Sequence, residues 1–543
     1  GKTLQVIAFL LSKQDYSQPP SLVVAPTSLM YNWLDEIERF APELKAAVVA
    51  GSRVEREEIL SGVDASFDVL ITTYNMLKRD INLYEKRRFR YCFLDEAQHI
   101  KNPTTQNARA VKKIKTAGYF ALTGMYSTNP ADPAKRIEEF KHLVNEVHKR
   151  GMGIILDVVY NHTAKVDIFE DLEPQYYHFM DADGKARSSF GGGRLGTTHY
   201  MTRRLLVDSI SYLVKEYKVD GFRFDLMGIH DIETMNAVRA ALDKVDPSIY
   251  VYGEGWTADQ STLAEDKRAL KRNAKQLDNI GVFSDDLRDA LKGSWMNKEI
   301  PGFASGVDSL EESVKFGITA AAFHPQVDYT KPIYSKEPYT NNPTQIINYV
   351  SCHDDMCLVD KLNLSKPAGT TPEELVRFNK LAQSVVFTSM GVPFMYAGEE
   401  VYRNKKGVNN TYQSPDSINQ IDWDNKTTYR HVYDYYKGLI ALRKAHPAFR
   451  IPTQEMMEKH LKFNDLKTPN VVAFTLGEYA NGDDWKNILV IHNGNRKAVE
   501  VEIPADKWTI VAHDAVINLN GIKAHDGGLL QLAPSSMTVL YTK

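Results

Sequence analysis

The sequence predicts an α/β chain in three units: a partial parallel-sheet lobe over residues 1–124, an incomplete (β/α)8 barrel over 125–446, and an antiparallel β-sandwich over 447–543. Three observations predict it. Apolar strand-like runs alternate with helical patterns over most of the chain, which gives parallel sheets. Polar and charged residues gather where successive runs end, and a barrel collects such residues at one mouth. Past residue 447 the hydrophobic period shortens to two, with Asn-Gly turns between the runs.

The front unit opens on Gly1-Lys2-Thr3 and a helical stretch over 4–11, then strand-like runs at 22–27, 69–74 and 93–98, and Leu122-Thr123-Gly124. Lys and Thr after a glycine turn are the types that reach a terminal phosphate and Mg²⁺. Acids at a strand end, as in Asp95-Glu96, can hold Mg²⁺ and orient a water. A Gly-Lys-Thr tripeptide alone also occurs by chance on protein surfaces. In their order, however, these segments resemble the first RecA-like lobe of Snf-type helicase-related ATPases, translocases of double-stranded DNA. The resemblance implies nucleotide binding by Lys2 and Thr3, with Asp95 and Glu96 as the metal-binding and catalytic acids. It stops at Gly124-Met125, where that family continues with Thr-Pro, and no second lobe follows. The glycine-rich turn that normally cradles the phosphates is not in the sequence, so the nucleotide site is expected to be vestigial and to bind ATP weakly or not at all.

From Tyr126 the chain repeats a helix-then-strand pattern. Helical residues 134–150 lead to the run 153–162, residues 203–217 to 219–225, and residues 232–245 to 249–254; later runs are 280–283, 346–352 and 393–398. Their ends carry Asp157, Asn161, His162, Arg223, Asp225, Glu254, Trp256, His353 and Asp354. Retaining glycoside cleavage needs a nucleophilic carboxylate and an acid/base carboxyl about 5–5.5 Å apart. Asp225 and Glu254 are separated by about one strand–helix–strand repeat of ~30 residues, which makes them neighbours across a barrel mouth. A single Asp or His at a strand end is more often a cap or a satisfied polar group. Here four such segments recur together.

Asp157 to His162, Gly221 to Asp225, Gly253 to Trp256 and Val350 to Asp354 resemble, in order, the four sequence regions of the α-amylase family, glycoside hydrolase family thirteen, with its TIM-type barrel. The stretches 126–136, 189–198 and 412–418 resemble type I pullulanases. The resemblance implies hydrolysis of α-1,6 branch linkages in pullulan, glycogen or starch dextrins. Asp225 would be the nucleophile, Glu254 the acid/base and Asp354 the carboxylate that holds sugar hydroxyls. Arg223 would keep Asp225 ionised, His162 and His353 would donate hydrogen bonds to the sugar, Trp256 would stack on a ring, and Asp157 and Asn161 would complete the substrate site. Two departures stand out. Asp355 occupies a position where many members have Asn, and the family's first two barrel strands and their preceding segments are not found before Tyr126, where the ATPase-like piece stands.

The aromatic and Met residues over 176–180 read as core, and His230 as a loop histidine. Helical 432–445 leads into the sandwich, with runs at 471–475, 487–492, 498–503 and 536–541 and turns at Asn481-Gly482, Asn493-Gly494 and Asn520-Gly521.

A net charge of −3 over 543 residues gives no basic footprint for nucleic acid, which is a partner only under the ATPase reading. The expected partner is an α-glucan. Cys92, Cys352 and Cys357 are an odd, unpaired set without metal spacing, consistent with a reducing compartment or simply with few cysteines; a cytoplasmic setting is slightly favoured over a secreted or periplasmic one in which a leader precedes Gly1. No run spans a membrane. No cofactor is required, no metal site is indicated, and calcium is compatible without being called for. Two incomplete enzyme patterns meeting in mid-motif at Gly124-Met125 read as a chimera, in which about six of eight barrel strands remain and the seam over 124–160 packs poorly.

Overall fold

The computed structural model describes residues 2–12, 19–61, 67–85, 87, 89–95, 127–129, 132–186, 188–189, 192–258 and 261–543. The Gly124-Met125 junction, Glu96 and the run 122–124 lie outside the described residues. Two compact units emerge: residues 1–154, 163–193 and 204–220, and residues 155–162, 194–203 and 221–543. This division falls differently from the three expected units. Helix Pro133–His148 joins the first unit together with most of helix Tyr200–Tyr217. There Phe140 packs edge-on against Tyr217 at 5.4 Å and Lys141 pairs with Glu216 at 2.7 Å.

The first unit contains β1 (Ser21–Ala25), β2 (Ala46–Val48), β3 (Val69–Thr73) and β4 (Cys92–Leu94), all parallel in the order β2-β3-β1-β4. Both central strands are buried along their whole length, as continuous apolar runs covered on two faces require. Alternate residues divide between the faces. Val23 and Ile71 pack with Ile7, Trp33 and Ile37, whereas Leu22, Val24 and Leu70 pack with Leu77 and Tyr84. The short β2 carries too few residues to show a period, and the sequence pattern did not expose it.

The second unit contains β5 (Ile155–Val158), β6 (Gly221–Phe224), β7 (Tyr250–Gly253), β8 (Gly281–Phe283), β9 (Ile346–Asn348) and β10 (Val392–Pro393). All six are parallel and stand in chain order, and among the described residues no pairing joins β5 to β10. The β5 edge leaves Ile155 43% and Val159 50% exposed. Two expected strands are shorter than the apolar pattern suggested. The last ladder bond reaches Phe394, whose N–H donates to Asn348 at 2.8 Å; Gly398 then turns at φ 96° and the chain enters the 3-10 turn Glu399–Val401. Beyond Asn348 the run 349–352 leaves the ladder, and the Asn348 amide donates to the Gly317 and Met390 carbonyls at 3.2 and 2.9 Å.

The sandwich lies in this same unit. Strands Leu461–Asn464, Val471–Leu476, Asn487–Asn493, Ser536–Thr542 and Trp508–His513 form the large antiparallel sheet, and Val499–Ile503 pairs with Gly528–Leu532. The two sheets share a core of Leu489, Ile491, Val501, Ile503, Trp508, Leu530 and Leu540. Trp508–His513 escaped the period-two reading because its register shifts between Ile510 and Ala512, which breaks the alternation.

Candidate active site

The ladder brings the acids together. Register pairs Asp157 with Arg223 across β5 and β6, and Phe224 with Gly253 across β6 and β7, so Asp225 and Glu254 are the next residues on adjacent strands. Their backbones continue the ladder: the Asp225 N–H donates to Val158 at 3.0 Å and that of Glu254 to Phe224 at 3.1 Å. Gly253 must be glycine at this closeness, since a Cβ there would stand 2.7 Å from the Phe224 carbonyl oxygen.

Arg223 is 6% exposed and touches three carboxyls. Its Nη1 donates to Asp157 Oδ1 at 2.8 Å and to Asp225 Oδ1 at 2.9 Å, and its Nη2 lies 2.6 Å from Glu254 Oε1. Burial opposes the guanidinium charge, but the pull of Glu254, Asp157 and Asp225 outweighs it and raises the group above its ordinary value. Glu254 behaves unlike an ordinary ion-pair partner. Burial pushes its carboxyl up to about 7, and Arg223 and the Leu226 N–H, which donates to Oε2 at 2.9 Å, only partly offset that; the charges of Asp225 and Asp354 add to the rise. One cation divided among three acids cannot fully repay the loss of water. The Leu226 N–H reaches Glu254 because Leu226 sits in left-handed backbone, φ 40° and ψ 49°, a conformation costly for a branched L-residue.

A chain of hydrogen bonds fixes the neighbouring histidine. Asn161 donates its amide to both the backbone oxygen and Oδ2 of Asp225, at 2.9 and 2.8 Å, so its Oδ1 faces His162 Nδ1. Nδ1 must then carry the proton. Burial lowers the His162 pKa, with Arg194 adding to this and Asp225 opposing it, so the ring is neutral near pH 7 and Nε2 is its acceptor nitrogen. His353 Nε2 lies 3.5 Å from Asp354 Oδ2, and both side chains are about half exposed. Trp256 is half-buried, its ring 6.4 Å from Phe283 beside Tyr252 and Tyr349.

Sequence reasoning missed the support behind these groups. Glu399 is 2% exposed; burial pushes its carboxyl up to about 8, while it accepts hydrogen bonds from Ser351, Gln383 and the Tyr396 N–H. Lys292 is buried, which lowers its pKa together with Arg288, while Cys352, Asp289 and Asp355 favour its charge. Asp355, the residue that departs from the family pattern, thus acts on a buried ammonium. His230 does lie in a loop, in the bend between the 3-10 turn Met227–Ile229 and helix Ile232–Asp243, but it is fully buried, edge-on to Phe224 at 6.0 Å, and burial lowers it to about 4. Lys292 was hidden inside the helix Asp285–Lys292, while the acids after Gly398 were the one available signal for Glu399.

The front unit places Asp95 after β4, as expected, but its carboxylate accepts the Trp33 indole N–H at 2.9 Å. Thr3 lies half-buried in helix Lys2–Ser12. Among the described residues no group of three or more His, Cys, Asp or Glu is placed to hold a metal ion, and no helix is long and apolar enough to cross a membrane.

Comparison with known proteins gives two likenesses. A family model for an SNF2-related domain matches residues 1–152, and one for a pullulanase all-beta domain matches residues 457–515. Pullulanase A of Streptococcus pneumoniae is 37% identical over 471 residues, 76% of this chain and 35% of that protein. The pullulanase of Bacillus subtilis (strain 168) is 37% identical over 392 residues, 72% of this chain and 53% of that protein. The chain therefore spans between about a third and about half of the length of these curated relatives. The solved pullulanase from Bacillus acidopullulyticus matches with a TM-score of 0.71 at 37% identity, over 77% of this chain and 50% of that one. A mutant pullulanase from Paenibacillus barengoltzii, complexed with maltotriose, matches with a TM-score of 0.71 at 31% identity, over 98% of this chain and 81% of that one. An acid pushed to neutral pKa beside a second carboxyl on the next strand, together with these likenesses, leads to one conclusion: the chain belongs to the pullulanase family.

Proposed function

We propose that the chain hydrolyses α-1,6-glucosidic branch linkages in pullulan, glycogen or starch dextrins by a retaining double displacement. The observation that carries the reading is Glu254, protonated up to about pH 7 while its neighbour Asp225 accepts from both Arg223 and Asn161. Glu254 gives its proton to the leaving glycosidic oxygen as Asp225 bonds to the anomeric carbon. A water then attacks that carbon, returns its proton to Glu254 and frees Asp225. Asp354 and His353, half exposed, hold sugar hydroxyls; His162 accepts one through Nε2; Trp256 offers a ring face. The α-1,6 preference is supported by the likeness to pullulanases, and the maltooligosaccharides held in several of their structures support an α-glucan ligand. The reaction needs only water and these side chains.

The stereochemistry of the first product tests the mechanism. Proton NMR during pullulan digestion should show the α-anomer before mutarotation, and a first-formed β-anomer would sink the double displacement. Faster reducing-end release from linear amylose than from pullulan would overturn the α-1,6 assignment. The SNF2-related match supports a separate ancestry for the front lobe, and sequencing genomic DNA across the codons of Gly124 and Met125 tests whether the two were joined.

A further inference from the structure

A second recess lies among elements that the hydrolytic reading does not use. Helix Leu358–Leu364, which follows Asp354 in the chain, helix Pro372–Thr388, the loop 402–407 and Tyr429 enclose a cavity of about 750 Å³, bordered by Ala515 of the sandwich. Lys380 lines it. This lysine is 6% exposed, its ammonium lies 5.0 Å over the Tyr435 ring, and it makes no hydrogen bond or ion pair among the described residues. Burial and the charge of Arg377 push it down to about 8, with Asp514 opposing. The ammonium has no protein acceptor among the described residues, and the nearby acids do not supply one. Asp360 is already engaged by the N–H groups of Lys405 and Gly407 at 2.6 and 2.8 Å and by the Cys357 thiol at 2.8 Å. Asp514 is held by Arg377 at 2.8 Å, and Glu373 stands exposed on the first turn of its helix. Arg377 and Lys406 add two more cations to the wall, and His431, whose pKa is lowered by burial and by Lys380, adds a neutral imidazole. Facing them, Tyr402 and Tyr429 lie 4.5 Å apart, tilted by 36°, and offer ring surface.

We propose that this cavity is a binding site for a phosphorylated sugar of hexose size, its phosphate held by Lys380 and Arg377 and its ring against Tyr402 and Tyr429. The phosphate supplies the acceptor that Lys380 lacks, and charge-assisted hydrogen bonds of this kind are among the stronger polar contacts. The apolar face of a sugar ring suits the tyrosine pair. None of these residues belongs to the Asp225–Glu254 site, so this inference stands apart from the hydrolytic reading.

Calorimetric titration of the full chain with glucose 6-phosphate, inorganic phosphate and maltotriose tests it. Glucose 6-phosphate should bind at one saturable site and inorganic phosphate should compete, more weakly. Lys380→Met should weaken both by about tenfold or more, with pullulan hydrolysis unchanged. Tyr429→Ala should weaken the sugar phosphate and leave inorganic phosphate alone. Should Lys380→Met lower the thermal midpoint, Arg377→Gln on the half-buried rim gives the same reading. Absence of heat with both phosphates, equal affinity in a folded Lys380→Met chain, or displacement of glucose 6-phosphate by maltotriose would overturn the proposal. Inorganic phosphate binding as tightly as the sugar phosphate would overturn its ring-binding half.

Discussion

At the carboxyl end of β4 in the front sheet, Asp95 accepts an indole hydrogen bond from Trp33. At the carboxyl ends of β5, β6 and β7 in the second sheet, Asp157, Asp225 and Glu254 meet on one guanidinium. Both sheets are parallel and both put acids at strand ends. In the first, the described donor to the acid is a neutral indole N–H. In the second, strands in chain order set successive acids side by side, and one buried cation is too little for them. Burial, which the one cation only partly offsets and the neighbouring acids reinforce, is what lets the Glu254 carboxyl hold its proton near neutrality.

The largest break in this contrast comes from the paired acids. Asp225→Asn or Glu254→Gln should lower reducing-end release from pullulan by about 10⁴-fold or more, on the order of 5 kcal/mol of transition-state stabilisation. Near-parental turnover in either variant would dismiss the assignment. Arg223→Met comes next. Removing the shared cation strands Glu254, itself buried, beside two other acids and should cost about 3–5 kcal/mol of stability, read from denaturant unfolding. A loss below about 1 kcal/mol would show that the acids do not depend on it.

A third test uses pH. Glu254 is raised from 4.5 to about 7, so activity that needs its proton should fall as pH rises through about 7, and the residual rate of Glu254→Gln should lack that limb. The same shift has a stability sign. Between 4.5 and about 7 the folded chain holds a proton that the unfolded chain has released, so the Glu254 contribution to stability declines as pH rises across that window. In the front sheet, by contrast, Trp33→Phe should cost only about 1 kcal/mol and leave pullulan hydrolysis unchanged. The smallest expected effect is none: ATP with Mg²⁺ should not alter hydrolysis, and a dependence on nucleotide would tie the front sheet to the chemistry of the second.

Much of this contrast was legible in the sequence, because strand ends and the interval between Asp225 and Glu254 follow from one repeat of strand and helix. The strands of the front sheet also lay close to where their apolar runs put them, apart from the three-residue β2. What escaped were features that no local pattern encodes. Leu226 is a residue type that gives no hint of left-handed backbone, and the amide it turns toward Glu254 is visible only in three dimensions. The orientation of Asn161, and with it the tautomer of His162, depends on a carboxylate more than sixty residues away. Lys292 reads as one more helix lysine until its burial is known. The strand expected over 393–398 ended early because Gly398 and the Glu399 carboxylate recruit that backbone into a turn.

The guanidinium of Arg223 has one more consequence. With Glu254 holding its proton, two carboxylates still lean on a single positive charge, and Asp354 adds a third negative group whose charge reaches Glu254. The resting pocket is therefore electrically unfinished, a set of counter-ions waiting for a cation. A glycosyl unit supplies that cation only for the instant in which its bond to the departing sugar is nearly gone. A positively charged ring mimic should be held more tightly than a neutral sugar of the same shape, because it completes at rest what the substrate completes only in passage.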